Sequence, residues 1–103
     1  MEIIFHAHHA VVPEALRQRA ERAVRKLARR FSRIVDAIVR FEADGPVRRV
    51  EIVLRAPRSR RFVALGVDRA YGPALAVAAA RMEAQVTRVK RTPKSRGAGV
   101  ARM

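Results

Sequence analysis

Val35-Asp36-Ala37-Ile38-Val39-Arg40-Phe41-Glu42-Ala43-Asp44-Gly45-Pro46 is the stretch that decides the fold. Ala37, Val39 and Phe41 alternate with Asp36, Ile38, Arg40 and Glu42, the period of two expected of a strand with one buried face, and Asp44-Gly45-Pro46 ends it. Downstream, Val50, Ile52, Leu54 and Ala56 alternate with Arg49, Glu51, Val53 and Arg55. Pro57-Arg58-Ser59 then reverses the chain into an apolar, β-branched run from Phe62 to Val67. Upstream, residues 2 to 8 alternate as well, with Ile3, Phe5 and Ala7 facing away from Glu2, Ile4, His6 and His8.

Two stretches keep a different period. Pro13 and Glu14 suit a helix start, and Leu16, Ala20, Ala23, Val24, Leu27 and Phe31 recur at three- and four-residue spacing, so a helix is expected from about 13 to 32. A second is expected from about Tyr71, with Leu75, Ala78, Ala79, Met82, Val86 and Val89 as its apolar stripe and Pro93 as its stop. The order is β-α-β-β-β-α. Two amphipathic helices need a surface to cover, and a four-stranded sheet supplies one, so the expected architecture is an α+β two-layer sandwich with both helices on one face. The open face would carry Ile38, Arg40, Glu42, Glu51, Val53, Arg55, Arg61 and Val63. Residues 1–91 form the expected domain, and residues 92–103, with Gly97 and Gly99, a flexible basic tail.

Composition narrows the function classes. The chain has 103 residues, of which 50% are hydrophobic, enough for a core in a single small domain. It has no cysteine, which removes disulfides, thiolate metal sites and cysteine nucleophiles. Its amino terminus shows no basic leader followed by an apolar run, and no stretch approaches the roughly 20 apolar residues of a spanning helix, so a cytoplasmic location without membrane contact is expected. With 23 Lys+Arg against 9 Asp+Glu the net charge is +14, and the expected partner is a polyanion.

The charge is concentrated. Residues 13–34 and 81–103 each carry a net +6, while residues 35–68 carry +2. At 100° per residue Arg22, Arg25, Arg29 and Arg33 lie opposite the apolar stripe of the first helix, flanked by Lys26 and Arg30. On the second helix Arg81, Arg88 and Arg91 are exposed by the same construction, next to Lys90, and Lys94 and Arg96 extend the row. The plainer alternative is a solvated face. Interspersed acids would mark that, and here they are scarce, so like charges at four-residue spacing repel one another unless a partner neutralises them. Twenty of the 23 cations are arginine, which favours forked contacts with phosphates. Basic helices lying flat on a sheet suit riding on phosphates and shallow grooves, which favours RNA over major-groove DNA reading. Phe5, Phe31, Phe41 and Phe62 all fall on core faces and only Tyr71 remains, so there is no stacking platform for single-strand reading.

Little points to catalysis. His6 and His8 project to one side of a strand, but no third ligand accompanies them and no metal site is expected. Asp36, Glu42, Glu51 and Asp68 are scattered without paired spacing and are read as partners for sheet arginines. No phosphate-binding loop, dinucleotide fingerprint or nucleophile elbow occurs. Neither catalytic residues nor a cofactor are expected. Val77, Ala80 and Ala84 fall on the outer side of the second helix, either because alanine is a good helix former or because they form a docking patch.

Ala15-Leu16-Arg17 through Lys26-Leu27 to Phe31 and Ile34 resembles, without a gap, the first helix of the ribosome hibernation promoting factors, the family that includes ribosome-associated inhibitor A and the sigma-54 modulation proteins. The His8-His9 pair, Val50-Glu51, Ala56-Pro57 and Met82-Glu83-Ala84-Gln85-Val86 match in the same order, so the resemblance covers residues 1 to about 91. Departures are Ala7 for a glycine, Ala23 for a lysine, and Ala76 and Ala79 for acidic residues. The resemblance is to the short form. It implies a fold similar to double-stranded-RNA-binding domains, binding to 16S rRNA of the small subunit and to the 70S ribosome, and occupancy of the mRNA/tRNA channel that silences translation under stress or in stationary phase. It places the rRNA contacts on Arg22, Arg25, Lys26, Arg29, Arg81, Arg88 and their neighbours; pairing of ribosomes would require an additional dimerisation-promoting factor. The alternatives are a general structured-RNA-binding protein and a protein-interaction regulator docking through the second helix.

Overall fold

The computed structural model describes residues 1–31 and 33–99, with side chains as far as residue 88. The elements are β1 (Glu2–His8), α1 (Glu14–Arg30), β2 (Asp36–Asp44), β3 (Val47–Ala56), β4 (Arg60–Asp68) and α2 (Tyr71–Gly99). The sheet order is β1-β2-β3-β4, with β1 parallel to β2 and the other two pairings antiparallel. The parallel pair is what the α1 crossover allows, since a tight hairpin can join only antiparallel neighbours. The chain is therefore an α+β sandwich with the expected element order.

The register assembles the core as three rows across the sheet: Ile3–Ala37–Leu54–Phe62, Phe5–Val39–Ile52–Ala64 and Ala7–Phe41–Val50–Gly66. Ala37, Val39, Phe41, Val50, Ile52 and Leu54 are almost wholly buried. Burying one such valine or leucine fully contributes about 1.5–3 kcal/mol, so these central rows supply much of the stability. From α1 come Leu16, Ala20, Val24 and Leu27, and from α2 come Ala74, Leu75, Ala78, Met82 and Val86. Ala7, next to the end of the edge strand β1, is exposed.

Along β4 the core side chains shrink from Phe62 through Ala64 to Gly66, and α2 comes closest at the small end. A Cβ on Gly66 would lie 1.9 Å from the Ala74 carbonyl oxygen and 2.7 Å from the Ala78 nitrogen. The alanines opening α2 thus have a packing role: they let helix and strand backbones touch. Farther along, Arg81 Nη1 donates to the Leu65 carbonyl (2.8 Å) and Gln85 Nε2 to the Val63 carbonyl (2.6 Å), satisfying two acceptors on the free edge of β4.

Two boundaries differ from expectation. Helix α1 stops at Arg30 because Phe31 leaves helical geometry (φ −122°, ψ 97°) and packs its ring 5.2 Å from that of Phe62. Helix α2 continues past Pro93 to Gly99. A proline removes one intrahelical hydrogen bond, at a cost of about 3 kcal/mol, without forbidding continuation. The expected flexible tail lies outside the described residues for its side chains and for residues 100–103.

Candidate nucleic-acid interface

Helices α1 and α2 run parallel. Arg30 Nη1 meets Glu83 Oε2 at 2.8 Å, and Arg19 Nη1 lies 3.1 Å from where a Cβ on Gly72 would be. Both contacts span the same offset in sequence, so the two helices advance together. Their outer faces form one surface.

On α1 the ridge stands as the periodicity predicts. Arg22, Arg25, Lys26, Arg29 and Arg30 are exposed, while Leu16, Ala20, Val24 and Leu27 face the sheet. Arg25 Nε bonds Glu21 at 3.1 Å. Such an exposed pair contributes at most about 1 kcal/mol and is readily exchanged for a phosphate. Among the described residues no carboxylate pairs with Arg22, Lys26 or Arg29. On α2, Arg81 and Arg88 are exposed; Arg81 spends one donor on Leu65 and keeps others free. Lys90 and Arg91 fall within α2, but their side chains lie outside the described residues.

Arg33 is a correction. It is not part of the helical ridge, because α1 has already ended, and it lines a small hollow with Phe31, Ala56, Pro57, Arg58 and Arg60. The structure thus adds Arg58 in the β3–β4 turn and Arg60 and Arg61 at the start of β4 to the cationic surface. A count over residues 35–68 averages these arginines with acids that the fold places elsewhere.

Those acids lie largely on the open sheet face. Asp36 accepts two bonds from Arg55, from Nε at 2.6 Å and Nη2 at 2.7 Å, and Arg40 Nη1 lies 3.3 Å from Glu51 Oε1. The Arg55 hydrogen bond holds the Asp36 carboxyl below its ordinary value, against the opposing effect of desolvation. The same bond raises Arg55. Beside these pairs runs an apolar row, Ile4–Ile38–Val53–Val63. The positive field therefore belongs to the helix layer and to one end of the sheet.

Tyr71 is no stacking platform. Its ring stands edge-on to Phe41 at 5.6 Å, and its hydroxyl is buried. His6 and His8 are exposed on the open face, and among the described residues no three His, Cys, Asp or Glu side chains are grouped to hold a metal ion. No helix among the described residues is long and apolar enough to cross a membrane.

Residues 3–94 match the family described as Sigma 54 modulation protein / S30EA ribosomal protein. The chain belongs to this family. No curated protein sequence matches it. Among solved structures, a ribosomal subunit interface protein from Coxiella burnetii is similar in fold, with a TM-score of 0.81 at 15% identity over 88% of this chain and 99% of that one. The N-terminal domain of Protein Y from Thermus thermophilus gives a TM-score of 0.73 at 25% identity over 86% of this chain and 99% of that one. The S30EA match spans β1 through most of α2, so the sheet and both basic helices lie inside the family's extent.

Proposed function

We propose that this protein is a ribosome hibernation factor: it binds the small ribosomal subunit through the basic faces of α1 and α2, occupies the mRNA/tRNA channel and stops translation under stress or in stationary phase. One observation carries the reading. In a chain of the S30EA family, two parallel helices tied by Arg30 and Glu83 present an arginine-rich surface on which Glu14, Glu21 and Glu83 are the only acids among the described residues. The names of the similar proteins, a ribosomal subunit interface protein and Protein Y, support a ribosomal partner.

The mechanism is occupancy. Guanidinium groups displace counterions from rRNA phosphates, and the rigid sandwich then fills space that messenger and tRNA need. No bond is made or broken, no cofactor takes part, and the protein works in the cytoplasm with the ribosomes.

Adding the purified protein to a cell-free translation reaction tests the reading. Inhibition relieved by excess 30S subunits, and not by equimolar free duplex RNA, is expected. Equal relief by duplex RNA would point to a general structured-RNA binder, and absence of inhibition would refute the hibernation role.

A further inference from the structure

The two hairpins of the sheet solve the same problem differently. At the β2–β3 turn a glycine takes the left-handed backbone, Gly45 at φ 59°. At the β3–β4 turn the left-handed positions are Arg58 (φ 67°) and Ser59 (φ 62°), both with a Cβ that opposes that conformation. Tight hairpins ordinarily put Asn or Gly at such positions. Here the chain accepts backbone strain and gains an exposed arginine at the tip.

The surroundings show what the arginine is for. Arg58 shares one hollow with Arg33 and Arg60 over a floor of Phe31, Ala56 and Pro57. A second hollow, lined by Ser59, Arg60 and Arg61 among others, shares Ala56 and Arg60 with the first. The Arg60 guanidinium carbon lies 5.5 Å from the centroid of the Phe62 ring, a cation–π contact that holds the group at this end of the sheet. Asp36 neutralises Arg55 next door. Among the described residues no carboxylate pairs with Arg33, Arg58, Arg60 or Arg61. Four guanidinium groups without a carboxylate partner thus line two adjoining hollows at the end of the sandwich, around the corner from the α1 ridge.

We propose that the β3–β4 hairpin tip, Arg58 with Arg33, Arg60 and Arg61, is a second binding site for the RNA phosphodiester backbone, separate from the helix ridge. It rests on the ribosomal reading and extends it to a different side of the molecule. The ligand is a run of adjacent phosphates, because forked guanidiniums match phosphate oxygens and the cations outnumber any other polar group lining the two hollows. The strained turn places Arg58 at the tip, and phosphate binding offsets the repulsion among the four cations.

Two variants of the full chain test this by cosedimentation with 30S subunits across a salt series. Arg58→Asn with Ser59→Gly relieves the turn and removes the charge; it is expected to melt higher yet bind more weakly, with the slope of log affinity against log salt shallower by about one. Arg58→Gln, which removes the charge and keeps the backbone demand, is expected to lose the same affinity without the gain in melting temperature. Affinity and slope equal to those of the unsubstituted protein in both variants would overturn the proposal alone. Failure of the unsubstituted protein to bind would instead overturn the ribosomal reading, and this site with it.

Discussion

Gly66 on β4 lies so close to Ala74 on α2 that a Cβ there would meet the Ala74 carbonyl oxygen at 1.9 Å. Backbone faces backbone at this point, so no side-chain rotation can make room. Gly66→Ala is expected to lower stability by about 3 kcal/mol, by forcing α2 off the sheet. Chemical denaturation measures it.

The Asp36–Arg55 pair predicts a pH dependence. The Asp36 carboxyl is held below its ordinary value near 3.8, so its contribution to stability is present above that value and is lost as pH falls through the lower folded pKa. Asp36→Asn is expected to melt below the unsubstituted protein at neutral pH. The difference should narrow as the pH is taken down through the lowered Asp36 pKa, below 3.8.

Glu83 is the one acid in residues 81–103, and it sits between the helices against Arg30. The pair is about half exposed on both sides, so Glu83→Gln is expected to change stability by less than about 1 kcal/mol. Removing a negative charge from the cationic surface should tighten binding to 30S subunits at low salt. Parallel melting and filter-binding measurements check both halves.

Ala80 and Ala84 are exposed on α2 and separate the RNA reading from docking through that helix. Arg at both positions, Ala80→Arg with Ala84→Arg, should fold normally, since exposed substitutions rarely shift stability beyond about 0.5 kcal/mol. Ribosome affinity should be kept or raised. A protein-docking surface would lose its partner instead, which a 30S pull-down with the variant reads directly.

The strands were legible in the sequence because a half-buried antiparallel face alternates cleanly: Ala37, Val39, Phe41 and Val50, Ile52, Leu54 are buried where the period of two put them. The open face carries the residues expected of it from Ile38 through Val63, with the difference that Val53 is buried there. The α1 ridge followed from helical periodicity, which is local. What the periodicity could not show was tertiary. Phe31 fits the helical stripe of α1, yet its ring turns onto Phe62, and that moves Arg33 from the ridge to the hairpin. Ala78 fits the apolar stripe of α2 in the sequence, but nothing local shows that Ala74 and Ala78 bring the helix backbone against Gly66. Pro93 carries a local stop signal that the helix overrides. The cations of the β3–β4 hairpin were hidden by counting, because Asp36, Glu42, Asp44 and Glu51 cancel them in the sum and not in space.

The most direct test of the ribosomal reading is cosedimentation of the protein and of Arg25→Glu with Arg29→Glu with 30S subunits over a salt series, with circular dichroism on both. Both residues are exposed on α1, so the fold should be unchanged. The account predicts saturable binding by the unsubstituted protein, with log affinity falling linearly against log salt by roughly 0.7–0.9 per phosphate contact, and loss of binding in the variant. Retained binding by a normally folded variant, or binding indifferent to salt, would contradict it.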